Sequence, residues 1–312
     1  MPSVETESHL DVVIVDAFSL LFRAFHSFPP HLTSPTGELT NAVFGFTRLL
    51  LDMLKKINPE YLVVAADTGE PTFRHVEYVG YKANREEAPH ELTSQIGSMY
   101  DVLDALNIPT LKVVGFEADD VIGTLAVKFA KEHPDLRVGI FTGDRDAFQL
   151  VKDNIFVLLP PRPPQKTWFS LIDAEEVIAR FGVRPDQVVD YKALCGDASD
   201  NIPGVKGVGP KTAAKLLMDF DTLEGIYNNL DSDKIKGSLL TKLAQGHQSA
   251  ILSQKLARID TTVPVEFELA QAEMCDYDQQ KALDLFTKLG FDSMKKHLPA
   301  DSFAKGVQAA LF

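Results

Sequence analysis

The sequence predicts an α/β protein: a mostly parallel sheet flanked by helices, joined to a helical C-terminal part. Three observations predict it. Apolar, β-branched runs of strand length recur five times in the first half of the chain, and segments of helical period lie between them. Beyond about residue 170 the strand signal fades and helical segments follow one another.

The strand runs are DVVIV (11–15), YLVVAA (61–66), TLKVV (110–114), RVGIF (137–141) and IFVLL (155–159). They are continuous rather than alternating, the pattern of strands covered on both faces. Residues 41–57 place Val43, Phe46, Leu50 and Leu54 on one side. Residues 91–106 carry Leu92, Ile96, Met99, Leu103 and Leu106, and residues 118–131 carry Val121, Ile122, Leu125 and Phe129. Strands alternating with such helices imply a parallel sheet. Helical segments then follow at 173–181, 186–194, 210–219, 222–229, 233–245, 247–257 and 278–289, with the proline-rich PPRPP at 160–164 near the change. The expected organisation is a flexible N-terminus (1–10), an α/β core (11–170), a helical part (171–292) and a C-terminal tail (293–312).

Composition excludes several classes. Hydrophobic residues make up 45% and charged residues 24%, ordinary values for a globular protein. The apolar runs are far too short for a membrane span. MPSVETESHL is polar and acidic, neither secretory signal nor transit peptide. The two cysteines, Cys195 and Cys275, stand far apart without a CxxC, as expected of reduced thiols in a cytosolic protein. No HxxxH or HExxH spacing offers a zinc site.

The net charge of −13 argues at first against a polyanionic partner, but the placement of the acids says more. Asp16 ends the first strand and Asp67 follows the second. Glu117, Asp119 and Asp120 follow the third and open a helix; Asp144 and Asp146 follow the fourth. Asp197 and Asp200 lie in CGDASDNIPG. The carboxyl ends of strands are where open α/β sheets bind ligands. A single Asp at such a turn often only caps a helix. Capping needs one side chain per helix, however, not EADD. So many carboxylates on one edge repel unless cations hold them. An all-oxygen, His-poor set suits Mg²⁺ or Mn²⁺, and its size suggests two or more ions, the clamp used at phosphate esters.

Two further stretches look made for nucleic acid. In NIPGVKGVGPKTAAKLL, GVKGVG reads as a tight glycine hairpin and Pro210 as a helix start. Backbone N–H groups there can receive a phosphate without reading bases, with Lys206, Lys211 and Lys215 adding charge. A plain helix–turn–helix connection is the simpler alternative. In TFRHVEYVGYKANREEAPH (72–90), Arg74, His75, Lys82 and Arg85 are interleaved with Phe73, Tyr78 and Tyr81. Basic groups can take phosphates while aromatics stack on unpaired bases; a solvated loop or a core tyrosine is the bland reading. Arg23 is either a third phosphate contact or a surface ion pair, and His26 is a packing residue.

VDAFSLLFRAFH (15–26), DTGEPTFRHVEYVGYKANRE (67–86), GFEADDVIGTLA (115–126), FTGDRDAFQLV (141–151) and LCGDASDNIPGVKGVGPKTAAKLL (194–217) together resemble the 5′-nuclease domain of bacterial DNA polymerase I, in the flap endonuclease superfamily. The resemblance spans roughly residues 10–292, and the blocks keep the family's order. It implies a PIN-like core, a helix-hairpin-helix at about 197–217 that holds K⁺ through hairpin carbonyls, and an arch at about 72–100. It implies a divalent-metal-dependent 5′–3′ exonuclease and 5′-flap endonuclease acting on DNA in replication and repair. Asp16, Asp67, Glu117 and Asp119 would be mainly ligands of a first ion, and Asp120 second to them or shared. Asp144, Asp146, Asp197 and Asp200 would complete that site and form another. Tyr81, Lys82 and Arg85 match the arch's Y-K-x-x-R pattern, with Lys82 and Arg85 catalytic. Arg23, Arg74, Tyr81, Lys82, Arg85, Gly204, Lys206, Gly207, Gly209, Lys211, Thr212 and Lys215 would contact DNA. The implied partners are DNA with 5′ flaps or 5′ ends and an RNA primer in an RNA–DNA hybrid, met by a monomer in the bacterial cytosol. A free-standing exonuclease and the nuclease part of a polymerase both suit the pattern.

Competing readings are weaker. A haloacid-dehalogenase-type phosphatase needs DxD at the first strand end, which here reads DAF. A PIN-type ribonuclease gives no reason for the hairpin. A DNA-binding module with a degenerate site should have lost acids, and none is missing.

Overall fold

A computed structural model describes residues 9–161 and 169–299. Residues 1–8, 162–168 and 300–312 lie outside it. So do most of the expected flexible N-terminus, the second half of PPRPP and most of the expected C-terminal tail.

The sheet has six strands: β1 (Val12–Asp16), β2 (Tyr61–Ala65), β3 (Thr110–Leu111), β4 (Val138–Phe141), β5 (Ile155–Leu159) and β6 (Ser170–Ile172). Their spatial order is β3-β2-β1-β4-β5-β6. β1 to β5 are parallel, and β6 pairs antiparallel with β5 at the edge. β6 is not foreshadowed in the sequence, and the third strand keeps two of the five residues expected of it. The helices are α1 (Ala17–Ser27), α2 (Asn41–Ile57), α3 (Phe73–Glu77), α4 (His90–Thr93), α5 (Ile96–Ala105), α6 (Ala118–Glu132), α7 (Ala174–Phe181), α8 (Val188–Cys195), α9 (Pro210–Phe220), α10 (Leu223–Asn228), α11 (Ser238–Ala257) and α12 (Gln279–Leu289).

Both faces of the sheet are covered, which explains the continuous apolar strands. Val12 and Ile14 of β1 join one core with Val121, Leu125 and Phe129 of α6. Val13 and Val15 point the other way, into a core with α1, α2, α5 and α12, as the two-residue period of a strand requires. The first core runs on through Val188, Leu194, Leu216 and Leu243, so the helical half packs directly on the sheet layer. Among the described residues no helix is long and apolar enough to cross a membrane.

Two helix boundaries differ from the sequence reading for visible reasons. The period over 91–106 is broken at Gln95, whose side chain turns inward. Its Oε1 accepts from the Ala42 and Val43 N–H groups at 2.8 and 3.1 Å and so caps α2. Conversely, 233–245 and 247–257 are not two helices: α11 runs straight through Gly246. A mid-helix glycine costs about 1 kcal/mol against alanine. Here it serves a contact, because a Cβ at Gly246 would lie 2.7 Å from Val205 Cγ1.

Candidate active site

The chain leaves β1 for β2 and β3 on one side of the sheet, and β4 and β5 lie on the other. The reversal between β1 and β4 opens a crevice at their carboxyl ends. A cleft of about 1150 Å³ occupies it, lined by Asp16, Asp67, Glu117, Asp119, Asp144, Asp146 and Asp197. Seven of the nine predicted acids therefore share one wall. Asp120 and Asp200 stand behind it.

Asp16 is both the last residue of β1 and the N-cap of α1. Its Oδ1 accepts from Ser19 N–H at 3.0 Å and its Oδ2 from the Thr142 hydroxyl at 2.7 Å. Thr142 in turn accepts from Asp144 N–H at 3.0 Å, tying the ends of β1 and β4 together. Asp67 accepts from Ala118 N–H at 2.8 Å, the first turn of α6. Burial, then the charges of Asp67 and Asp144, push Asp16 up to about 7 against the hydrogen bonds from Ser19 and Thr142. Asp119 accepts no hydrogen bond from any described residue. Loss of solvent and the neighbouring Asp144 and Asp16 hold it well above the ordinary carboxylate range.

The other half of the cluster is laced with cations. Lys192, on the inner face of α8, bridges Asp146 and Asp197: its Nζ contacts Asp146 Oδ1 and lies 2.6 Å from Asp197 Oδ2. Burial raises Asp146 to about 7, with Lys192 opposing and Asp144 adding to the rise. Burial works against Asp197 too, but Lys192 and the hydrogen bonds from Ser199 outweigh it and bring Asp197 down to about 2. Lys192 was not foreseen. Its signal was a lysine inside the mostly apolar VVDYKALC helix, where an unpaired charge could not be buried.

The turn after α3 reaches the cluster from outside. Lys82 has φ 54, a left-handed conformation rare for a non-glycine residue and found disproportionately at functional sites. Its Nζ donates to Glu117 Oε1 at 2.7 Å and lies 3.9 Å from Asp200 Oδ2. Arg85 donates to Asp200 Oδ1 at 2.5 Å. The turn is also held by its backbone and amides. Lys82 N–H donates to Asp200 O at 3.0 Å, Asn84 Nδ2 to Ala198 O at 2.8 Å and Asn201 Nδ2 to Gly80 O at 2.6 Å.

Three sequence-based assignments change here. Arg74 is only 2% exposed and cannot meet a phosphate. Its guanidinium donates twice to Asp120 at 2.7 Å, to Glu117 at 3.2 Å, and to the Leu256 and Arg258 carbonyls at 3.0 and 2.7 Å. Asp120 is not available to a metal: besides Arg74, its oxygens accept from Glu117 and Asp260 N–H at 3.1 and 2.8 Å. Of the EADD acids, one is thus a cap and ion-pair partner. Tyr81 is buried and cannot stack on a base. Its hydroxyl donates to Glu117 at 3.0 Å and faces Asp200 at 3.3 Å, and burial together with both carboxylates keeps the phenol protonated. Arg23 lines the cleft and donates to the Pro161 carbonyl.

Among the described residues no three of these side chains close into a ready-made cage of metal-ligand geometry, because Lys82, Arg85 and Lys192 stand between the acids. The donor set still suits a hard divalent cation. Asp16, Asp119 and Asp144 repel one another, and burial together with that repulsion outweighs the pull of Lys82 on Asp119, so Asp16 and Asp119 hold protons more tightly than an ordinary carboxylate.

The glycine hairpin lies between α8 and α9. Gly204 and Gly207 have φ 61 and 81, and a Cβ on Gly204 would fall 2.3 Å from the Gly196 nitrogen. Lys206, Lys211 and Lys215 are exposed beside it.

Two family models match. One, 5′–3′ exonuclease, N-terminal resolvase-like domain, covers residues 11–182; the other, 5′–3′ exonuclease, C-terminal SAM fold, covers 183–280. DNA polymerase I of Caldicellulosiruptor bescii is 41% identical over 289 residues, 93% of this chain and 33% of that protein. DNA polymerase I of Bacillus subtilis is 38% identical over 93% of this chain and 32% of its own length. The chain thus spans about a third of the relatives it matches. Among solved structures, T5 5′-exonuclease with bound zinc ions superposes with a TM-score of 0.62 at 20% identity, covering 96% of this chain and 98% of that one. The catalytic core of Rad2 in complex with DNA superposes at 0.59 and 18%, covering 96% and 94%. At such identities the likeness is one of fold.

Proposed function

The chain belongs to the 5′–3′ exonuclease family, and on that premise we propose that it hydrolyses phosphodiesters of DNA from 5′ ends and at 5′ flaps, near the junction of single strand and duplex, with Mg²⁺ or Mn²⁺. The carrying observation is the group Asp16, Asp119 and Asp144, mutually repelling carboxylates from the ends of β1 and β4 and the start of α6, on the wall of a cleft of about 1150 Å³. In this reading Asp16, Asp67, Glu117, Asp119 and Asp144 hold one ion, and Asp146, Asp197 and Asp200 contribute to a second. Bound there, the ions supply Lewis-acid stabilisation of the attacking and leaving oxygens of an in-line displacement.

The chain's own groups do the rest. Lys82 and Arg85 cross the mouth of the cleft and bring positive charge to where a phosphate accumulates negative charge. Glu117 and Asp200 aim them. Arg74, Asp120 and Tyr81 fix Glu117 from behind. The hairpin, with Gly204, Lys206, Gly207, Gly209, Lys211, Thr212 and Lys215, holds the duplex by its backbone without reading sequence; Arg23 lies where the strand would pass. The proposal extends to RNA primers in RNA–DNA hybrids as a second substrate and to a monomer in the bacterial cytosol.

A labelled 5′-flap duplex tests it. With Mg²⁺, incision near the junction should leave a 5′-phosphate on the downstream strand; in EDTA and on single-stranded RNA there should be none. Full activity in EDTA after trace metal is stripped overturns the metal assignment.

A further inference from the structure

Several carbonyls of the hairpin, those of Ile202, Gly204, Val205 and Gly207, are committed to the protein itself. Along one face of α11, Lys242, Gly246, Ser249 and Ser253 recur at helical spacing, and each meets the hairpin. Ser253 Oγ accepts from Gly204 N–H at 2.9 Å, and Ser249 Oγ donates to Gly204 O at 2.7 Å. Val205 packs on Gly246. The Lys242 ammonium donates to Gly207 O at 3.1 Å. Two more hairpin carbonyls are taken by backbone: Ile202 O by Asp197 N–H and Val205 O by Val208 N–H, both at 2.9 Å. The N–H side is the reverse. Among the described residues the N–H groups of Lys206, Gly207, Gly209, Lys211 and Thr212 have no acceptor.

A monovalent ion at such a hairpin, which the family resemblance implies, needs several carbonyl oxygens turned toward it. It would also have to sit beside the Lys242 ammonium, which repels it. With the Gly204 and Gly207 carbonyls taken and the ammonium beside them, this edge of the hairpin fits K⁺ poorly. We propose that Lys242 is itself the hairpin's cation, a tethered ammonium that neutralises the carbonyl pole and leaves the N–H pole to a DNA phosphate, so that duplex binding needs no bound K⁺. The proposal rests on the reading of the hairpin as a duplex contact.

The test is duplex affinity in K⁺, Na⁺ and tetramethylammonium chlorides at equal ionic strength, with Ca²⁺ as the divalent ion, for the wild-type chain, Lys242→Met and Lys211→Ala. Thermal melting of each variant checks its fold. Wild-type affinity should vary by no more than about twofold among the salts. Lys242→Met should bind about tenfold more weakly in tetramethylammonium, the scale of one lost charge-assisted contact, and recover in K⁺, which can then enter. A wild-type preference of tenfold or more for K⁺ overturns the proposal. So does a Lys242→Met variant that loses nothing, or one whose loss is equal in all three salts, since Lys242 would then be a plain phosphate contact. Unchanged affinity in Lys211→Ala instead removes the hairpin reading itself, while a weakened Lys211→Ala beside an unaffected Lys242→Met removes only the role of Lys242.

Discussion

Replacing Arg74 by methionine separates two roles that the sequence could not tell apart. Methionine keeps the unbranched apolar stem and removes the charge. Arg74 and Asp120 have side chains 3% and 0% exposed, so the substitution leaves a carboxylate buried without its cation. Breaking such a pair from one side costs about 3–5 kcal/mol. The loss should sit at the high end, because the Leu256 and Arg258 carbonyls lose donors as well. For a chain of 312 residues that corresponds to a fall in melting temperature of roughly 5–8 °C. Urea denaturation of wild type, Arg74→Met, Asp120→Leu and the double variant is the assay. The double variant should regain a large part of the loss, since neither charge is left alone. The reasoning is refuted if Arg74→Met stays within about 1 kcal/mol of wild type while the salt dependence of DNA binding drops by about one unit, for Arg74 would then be a phosphate contact.

Asp67→Asn and Asp146→Asn should each abolish cleavage, measured as single-turnover rate, while flap binding in Ca²⁺ persists. Lys82→Ala should lower the single-turnover rate at saturating enzyme at least about tenfold, on the order of 1.4 kcal/mol, with a smaller change in affinity; an intact rate with weakened binding makes Lys82 a tether. Lys206→Ala with Lys211→Ala should flatten the salt dependence of duplex binding by about two units, read from affinities between low and moderate salt. Asp16 and Asp146 are raised from 3.8 to about 7 in the folded chain, so they hold protons that the unfolded chain has released. Their stabilising contribution is full below about pH 4 and is lost as pH rises through about 7. Melting temperature in EDTA should therefore fall between pH 5 and 8, and Ca²⁺ should restore most at the alkaline end.

How much of this was legible in the sequence depended on how local the signal was. The acids could be placed because each follows an apolar run that is unmistakably a strand, and a parallel sheet brings the ends of such runs together. The destinations of the basic residues could not. Arg74 and Lys82 sit among aromatic and basic neighbours just as phosphate contacts would, yet Arg74 turns inward to carbonyls more than 180 positions away. Tyr81 likewise meets Asp200 only in the fold. Whether a cation near an acid cluster serves a ligand or the acids themselves is decided by burial, and burial is a tertiary property. Lys192 was missed for the same reason, and the division of α11 at Gly246 followed from a glycine rule that the packing of Val205 overrides.

The link from Arg74 to the end of α11 also bears on when the site can exist during synthesis. Asp120 keeps its charge buried only once Arg74 is anchored on Leu256 and Arg258 and the Asp260 N–H has arrived. At roughly 5–20 residues per second, the ribosome takes about 10–40 s to travel from Arg74 to that anchor, and the tunnel delays its release further. For the later part of that interval, once Ile172 has been made, the nascent chain has every strand of the sheet but not the brace behind Glu117. Ribosome-bound chains stalled before residue 256 should therefore show no protection of Glu117 and its neighbours from hydrogen exchange, whereas chains released after residue 280 should.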